Sequence, residues 1–228
     1  MGPKGRSRRS FLQLVGGVGA IVAGGGSIDA WARADSPEPA RRPPTDRLLD
    51  GNERFATGRL SHPNQTVRRR KALETAQHPY AAILTCGDSR VPPEIVFDQG
   101  LGDLFVIRTA GNVVDEIVLG SLEYAVEHLH VGLIVVMGHG GCGAVAAAVE
   151  GHHVPGHLSA IVKRIAPAVE EARHQPGNLL SNAISANARL QAGNLLSKSP
   201  ILRKASKAEM LRVVPWRYEL STGRVDCL

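Results

Sequence analysis

The sequence predicts an α/β fold in which a mainly parallel central β-sheet is flanked by α-helices. Three short apolar runs, each with the length of a buried strand, alternate along the chain with segments of helical periodicity. Two strand-like segments around a turn then predict a C-terminal hairpin. A length of 228 residues, of which 43% are hydrophobic, suits one globular domain with an extension.

The predicted strands are short and rich in β-branched or small apolar residues. They cover residues 80–86, 103–109 and 131–138, and the third is the most apolar. The hairpin combines residues 211–220 and 224–228 around the turn Ser221-Thr222-Gly223. No internal repeat interrupts this order.

Helices are predicted between the strands from apolar spacing and end signals. Thr45 is a candidate N-cap for the first helix, which ends near Gly58. Pro167 is expected to interrupt one of the later helices. The other predicted helical segments are 67–77, a short turn over 92–98, and 114–129, 142–150, 158–173 and 179–196.

The N-terminal segment, residues 1–34, has the order of a signal peptide: a basic start, an apolar stretch over 11–23, and small-residue Ala-x-Ala sites. Arg8-Arg9 followed by Ser-Phe-Leu resembles the twin-arginine export signal. We expect a protein exported across the bacterial cytoplasmic membrane, with no stable membrane insertion after cleavage. An uncleaved anchor and a flexible basic tail are the alternatives. Residues 35–44 form a Pro-rich linker, and the folded domain is expected over 45–228.

The net charge of +6 first suggests an anionic partner. Residues 1–34 hold five basic residues and one acidic residue, which leaves +2 for residues 35–228. A basic run over 68–71 has no accompanying aromatic residues, so nucleic-acid binding is not expected. Three cysteines are too few for a disulfide scaffold. Cys227 is expected to be a spare thiol, with an intersubunit disulfide as the alternative.

Cys86 closes the first predicted strand, and His139 and Cys142 follow the third. Functional residues of such sheets lie past the carboxyl ends of the strands. Two thiolates and an imidazole suit Zn²⁺ and leave one tetrahedral position open. Cys142 also begins a helix, where the thiol pKa is expected to be lowered. Buried free cysteines and a hydrogen-bonded loop histidine remain the alternative at this point.

Longer motifs around these three residues narrow the choice. Cys86-x-Asp88-Ser89-Arg90-Val91-x-Pro93-Glu94 precedes His139-x-x-Cys142-Gly143. Together with Arg108-x-Ala110-Gly111-Asn112 and the closing Tyr218-x-Leu220-x-Thr222-Gly223, this pattern resembles the beta-class carbonic anhydrases over about residues 45–228. The sequence departs from the family pattern at Thr109, where Asn is usual, and at Trp216, where a small residue is commoner.

The resemblance implies one zinc ion per subunit held by Cys86, His139 and Cys142, and reversible hydration of CO₂ to bicarbonate by zinc-bound hydroxide. It places the catalytic Asp–Arg pair at Asp88, which would accept the proton of the hydroxide, and Arg90, which would hold Asp88 in place. The two residues either pair with each other or separate so that Asp88 closes the metal site. A strand-end salt bridge is the structural alternative for the pair.

Gln99 and the Gly143 backbone N–H are the candidate substrate ligands. Gln99 can instead make a loop hydrogen bond at a helix end. The adjacent His152 and His153 are expected to be solvated loop residues, with a proton relay as the alternative.

Two other functions remain possible at this point. One is hydrolysis of carbon disulfide or carbonyl sulfide on the same scaffold, and the other is non-catalytic binding of zinc or bicarbonate. By resemblance, the assembly is expected to be a homodimer or a larger even oligomer.

Overall fold

The computed structural model describes residues 42–151 and 154–228, which form one five-stranded sheet covered by helices. The predicted signal segment, residues 35–41 of the predicted linker, and the His152–His153 pair lie outside the described residues. The first helix begins at Pro44, one residue before the predicted start of the folded domain. No helix among the described residues has the length and apolarity that a bilayer crossing requires.

The strand order is β2-β1-β3-β4-β5, and only the last pair is antiparallel. The strands are β1 Ala81–Cys86, β2 Leu104–Thr109, β3 Leu133–His139, β4 Arg212–Tyr218 and β5 Val225–Cys227. This arrangement confirms the predicted mainly parallel sheet and the C-terminal hairpin. Every residue of β1 and β3 is buried, as expected for central parallel strands.

Eight α-helices and one 3₁₀ turn connect the strands in the described residues. They are α1 Pro44–Ala56, α2 Val67–Ala72, α3 Pro93–Val96, the 3₁₀ turn Ala110–Asn112, α4 Glu116–Glu127, α5 Gly143–Glu150, α6 Leu158–Arg173, α7 Leu179–Lys198 and α8 Pro200–Lys207.

Both faces of the sheet are covered by apolar layers. Ile134 and Val136 of β3 pack with α4, α7 and α8 on one face, and Ile83 of β1 packs with Leu48 of α1 and Phe97 on the other. Trp216 lies in the second layer, with its ring centroid 5.9 Å from that of Phe97. A third apolar cluster from α5, α6 and α7 lies beside Cys86 and Cys142, at the carboxyl ends of the strands.

Four details of the helix predictions were wrong. Thr45 lies inside α1 and does not cap it, because the helix begins at Pro44 after Pro43. Helix α2 stops at Ala72 and has no buried residue, so no apolar face supports its extension to residue 77. Pro167 does not interrupt α6, whose flanking residues Ile165 and Ala168 are fully buried. Helix α8 was not predicted, although Ser199 before Pro200 is a helix start signal.

Asp98 connects α1 to the segment that precedes α2. Its buried carboxylate accepts hydrogen bonds from Arg54 Nε at 2.6 Å, from the Ser61 backbone and side chain at 2.9 Å each, and from the His62 N–H at 3.0 Å. Burial alone would raise the pKa of Asp98, but these donors lower it below its usual value. The ionised carboxylate therefore stabilises the folded protein at neutral pH.

Asp98→Asn is expected to destabilise the protein by about 3 kcal/mol at neutral pH, because an amide cannot replace a buried carboxylate that accepts four hydrogen bonds. Since the folded-state pKa lies below the unfolded one, the stabilisation is complete above the unfolded pKa and is lost as the pH falls through the folded pKa. Urea unfolding at several pH values measures this difference. The matched control Asp50→Asn, in an exposed ion pair with Arg42, should change stability little. If the difference in the free energy of unfolding between the wild type and Asp98→Asn does not become smaller at acidic pH, this explanation is contradicted.

Candidate metal centre

Cys86, His139 and Cys142 meet at the carboxyl ends of β1 and β3. Cys86 and His139 are the last residues of these neighbouring strands, and Cys142 is the N-cap of α5, three residues after His139. All three residues are buried, and their ligand atoms lie within 4.8 Å of one another. The parallel pairing of two strands thus brings together residues that are far apart in the chain.

The imidazole of His139 is held in one orientation. Its Nδ1 lies 3.0 Å from the carbonyl oxygen of Gly140, which can only accept a hydrogen bond, so Nδ1 carries the proton. The Nε2 atom is buried and has no hydrogen-bond partner among the described residues. A buried ring nitrogen with a free lone pair, fixed by a hydrogen bond on the other nitrogen, is the usual arrangement of a metal-binding histidine.

The spacing of the donor atoms fits zinc. Two thiolates bound tetrahedrally to zinc are about 3.8 Å apart, as follows from a Zn–S distance of about 2.3 Å. The Sγ atoms of Cys86 and Cys142 are 4.0 Å apart. The donor set of two sulfurs and one imidazole is also one that zinc prefers. The residues present therefore fit this ion, and they leave a fourth position for a smaller ligand.

The two cysteine thiols have opposite pKa shifts. The hydrogen bond with Cys142 lowers the pKa of Cys86 to about 4, and the same contact, together with burial, raises the pKa of Cys142. The helix N-terminus acts on Cys142 in the expected direction, but the net pKa shift of this thiol is upward. The N–H groups of Ala144 and Val145 do lower its pKa, but the adjacent thiolate outweighs them. A metal ion that binds both sulfurs has to displace the proton of Cys142.

Asp88 and Arg90 form the pair that the sequence motif suggested. The Nε and Nη2 atoms of Arg90 donate to the two carboxylate oxygens of Asp88 at 2.9 and 2.7 Å. This bidentate contact holds the pKa of Asp88 well below its usual range. Asp88 Oδ2 lies 3.9 Å from His139 Nε2. The carboxylate of Asp88 thus lies next to the cluster of Cys86, His139 and Cys142, and it is hydrogen-bonded to Arg90.

Arg108 and Gly111 support this arrangement from β2 and the turn after it. Arg108 donates to the carbonyl oxygens of Cys86 at 3.0 Å and Asp88 at 2.5 Å, so it fixes the backbone between these two residues. The N–H of Gly111 donates to Cys86 Sγ at 3.3 Å. Both residues belong to the motif Arg108-x-Ala110-Gly111-Asn112, but nothing in the sequence indicates which groups they contact. Thr109 donates to the carbonyl oxygen of Val113 at 3.0 Å and leaves the ligands untouched.

Gln99 is buried in the loop between α3 and β2. It is 3% exposed, and its amide donates to the Phe97 carbonyl at 2.7 Å. It lines a cavity of about 420 Å³ together with Leu104, which pairs with the first residue of β1. The amide N–H of Gln99 is thus used in a local hydrogen bond, and its role as a substrate ligand stays a prediction.

Gly143 is the first residue of α5, directly after Cys142. The first N–H groups of a helix have no partner within the helix. A side chain added at Gly143 would meet no atom within 4 Å, so its backbone borders open space. The role of Gly143 as a hydrogen-bond donor to substrate stays a prediction.

Comparisons with known proteins agree on one family. The family model described as carbonic anhydrase matches residues 81–225. Carbonic anhydrase 2 of Mycobacterium tuberculosis is 43% identical over 181 residues, which cover 78% of this chain and 87% of the relative. A carbonic anhydrase of Pseudomonas aeruginosa is 36% identical over 200 residues, covering 79% of this chain and 86% of the relative.

Solved structures share the same fold. A tetrameric beta-carbonic anhydrase of Sordaria macrospora superimposes with a TM-score of 0.66 at 26% identity, covering 81% of this chain and 96% of that chain. A Coccomyxa beta-carbonic anhydrase in complex with acetazolamide gives a TM-score of 0.64 at 25% identity, covering 81% of each chain.

Proposed function

Because the chain belongs to the beta-class carbonic anhydrases, we propose that it catalyses the reversible hydration of CO₂ to bicarbonate and a proton with a zinc ion held by Cys86, His139 and Cys142. The observation that carries this proposal is the buried Nε2 of His139, which has no hydrogen-bond partner in the described part of the chain. It lies beside two cysteine sulfurs and 3.9 Å from Asp88 Oδ2. When bound, zinc supplies the Lewis acidity that makes water a nucleophile at neutral pH.

The residues of the proposed zinc site have different roles. Cys86 and Cys142 supply negative charge, and the Gly111 N–H withdraws part of it from the Cys86 sulfur. Gly140 fixes the tautomer of His139, so that Nε2 faces the cluster. The low pKa of Asp88 keeps its carboxylate ionised, and therefore able to accept a hydrogen bond from the nucleophile and orient it.

Arg90 acts through Asp88. Two hydrogen bonds hold the carboxylate in one plane, and the guanidinium charge keeps it from serving as a proton donor. Because Arg90 is 57% exposed and Asp88 is 17% exposed in their side chains, the pair also lies where solvent can reach it. This exposure gives the proton released on hydration a route to bulk water.

The experiment that tests the activity is stopped-flow CO₂ hydration by the zinc-loaded protein at neutral and mildly alkaline pH. Parallel assays for release of hydrogen sulfide from carbonyl sulfide and carbon disulfide test the other substrates considered for this scaffold. Rapid CO₂ hydration with slow sulfide release is expected. Sulfide release without CO₂ hydration would contradict CO₂ as the substrate and favour carbonyl sulfide or carbon disulfide. The absence of both activities would support a non-catalytic role.

The proposed assembly is a homodimer or a larger even oligomer. Strand β2 lies at the edge of the sheet, and its apolar residues Leu104, Phe105, Val106 and Ile107 are only half-buried. A half-buried apolar edge strand favours contact with another chain. The tetrameric Sordaria relative is consistent with such an assembly. Light scattering during size-exclusion chromatography measures the subunit number, and a monomer would contradict the proposal.

The proposed location is outside the bacterial cytoplasmic membrane, reached by twin-arginine export of the folded protein. Support comes from the sequence of residues 1–34 and from the chemistry of the site, since thiolate ligands loaded with metal in the cytoplasm are protected from oxidation.

A fusion of residues 1–34 to a reporter that is active only after folded export should be exported, and the double variant Arg8→Lys/Arg9→Lys should not be. The control Lys4→Arg, which preserves the basic start, should leave export unchanged. Export of the double variant at the original level would refute the twin-arginine route.

A further inference from the structure

Two buried side-chain amides of α7 lie behind the metal cluster. Asn187 is 1% exposed and Gln191 is fully buried. Because they are four residues apart, they lie on the same face of the helix. Buried amides are costly unless they are hydrogen-bonded, so their partners indicate what they hold in place.

The partners of Asn187 lead directly to a metal-binding sulfur. Gln191 Nε2 donates to Asn187 Oδ1 at 3.0 Å, and Asn187 Nδ2 donates to the carbonyl oxygen of Gly111 at 2.9 Å. The N–H of Gly111 in turn donates to Cys86 Sγ at 3.3 Å. Hydrogen bonds to the carbonyl oxygen and from the N–H of Gly111 therefore link the middle of α7 to Cys86 through the Gly111 backbone.

Gln191 also holds the far side of the same turn. Its Oε1 accepts a hydrogen bond from the Val114 N–H at 3.0 Å, while its Nε2 is also 3.3 Å from the carbonyl oxygen of Arg164 in α6. The turn itself is tightly packed. Gly111 has a φ of 68°, and a side chain there would come within 2.7 Å of Ile165 Cδ1. The turn is thus fixed by packing on one side and by the two amides on the other.

We propose that Asn187 is a positioning residue of the metal centre, which holds the 110–112 turn so that the Gly111 N–H is directed at the Cys86 sulfur. An N–H···S bond withdraws charge from the sulfur and fixes its direction. Both effects matter in a site with two thiolates, which donate more charge to the metal than neutral imidazoles do. This inference rests on the proposed binding of zinc by Cys86.

The test compares Asn187→Leu with the matched control Asn182→Leu. Asn182 lies on the same helix and also donates from Nδ2 to backbone carbonyls, at 3.0 Å to Pro176 and 3.4 Å to Gln175, but these lie in the loop between α6 and α7. Two readouts report on the metal site: the zinc dissociation constant from chelator competition, and the thiolate-to-metal absorption band of the cobalt-substituted protein. Circular dichroism establishes that each variant is folded.

Asn187→Leu is expected to weaken zinc binding about 10- to 100-fold, the usual effect of losing a group that orients a ligand, and to shift the cobalt–thiolate band. Asn182→Leu should change neither readout. A folded Asn187→Leu variant with the wild-type dissociation constant and band would overturn the inference.

A wild-type protein that binds no zinc would overturn the proposed zinc site, and this inference with it. If Asn187→Leu does not fold, Asn187→Ala serves instead, because it removes the Nδ2 donor without introducing a larger or ionisable side chain. Unchanged readouts in a folded Asn187→Ala variant would equally overturn the inference.

Discussion

Cys142→Ser is expected to abolish CO₂ hydration and to raise the zinc dissociation constant by at least about 100-fold, the upper end of what the loss of a ligand-orienting group costs. Serine preserves the volume and the position at the start of α5, but its hydroxyl does not ionise near neutral pH and is a poor ligand for zinc. The remaining donors, Cys86 and His139, cannot enclose the ion by themselves. Metal analysis after dialysis and stopped-flow hydration measure the two effects.

Cys227→Ser is the matched control for this substitution. Cys227 is an exposed free cysteine in β5, near the C-terminus, and it does not belong to the cluster. Its replacement by serine makes the same chemical change outside the proposed site. It should keep both zinc and activity. A Cys142→Ser protein that retains zinc and turnover would show that the ion is held elsewhere.

Asp88→Asn is expected to keep zinc but to lower kcat for CO₂ hydration by about 10²- to 10⁴-fold, the usual contribution of a positioned acid–base group. The amide has the same shape as the carboxylate, so the loop beyond β1 should persist. It cannot accept a proton or attract Arg90 as an ion pair, so the bidentate contact weakens. Stopped-flow hydration with a parallel zinc determination separates loss of catalysis from loss of metal.

The surface variant Asp50→Asn controls for removal of a carboxylate from an arginine pair. Asp50 is paired with Arg42 at the start of the folded domain, and the side chains are 41% and 50% exposed, respectively. The CO₂ hydration activity of the Asp50→Asn variant should equal that of the wild type. Full activity in Asp88→Asn would assign the Asp88–Arg90 pair a purely structural role, as a salt bridge at the end of a strand.

The central strands and the cluster of Cys86, His139 and Cys142 were predictable because their signals are local. Strand β1 is continuously apolar and ends at a cysteine, and β3 is equally apolar and ends at His139. In a parallel sheet, strand ends at the same edge lie close together, so their proximity follows from the fold class. The short distance between Asp88 and Arg90 likewise follows from their spacing of two residues.

Contacts between distant parts of the chain were not predictable. Asn187 and Gln191 lie in a helix whose sequence carries no motif, and their role is visible only because α7 crosses behind the 110–112 turn. The pKa of Cys142 depends on a neighbouring thiolate 56 residues earlier in the sequence, which outweighs the local effect of the helix.

The most direct test of the proposed zinc centre is a titration of the metal-free protein with zinc, followed by stopped-flow CO₂ hydration at each step. The predicted result is activity that rises linearly and reaches a plateau at one zinc ion per subunit, with no rise in Cys142→Ser. Hydration by the metal-free protein, or a plateau without activity after one equivalent is bound, would contradict the assignment of Cys86, His139 and Cys142 as the catalytic metal site.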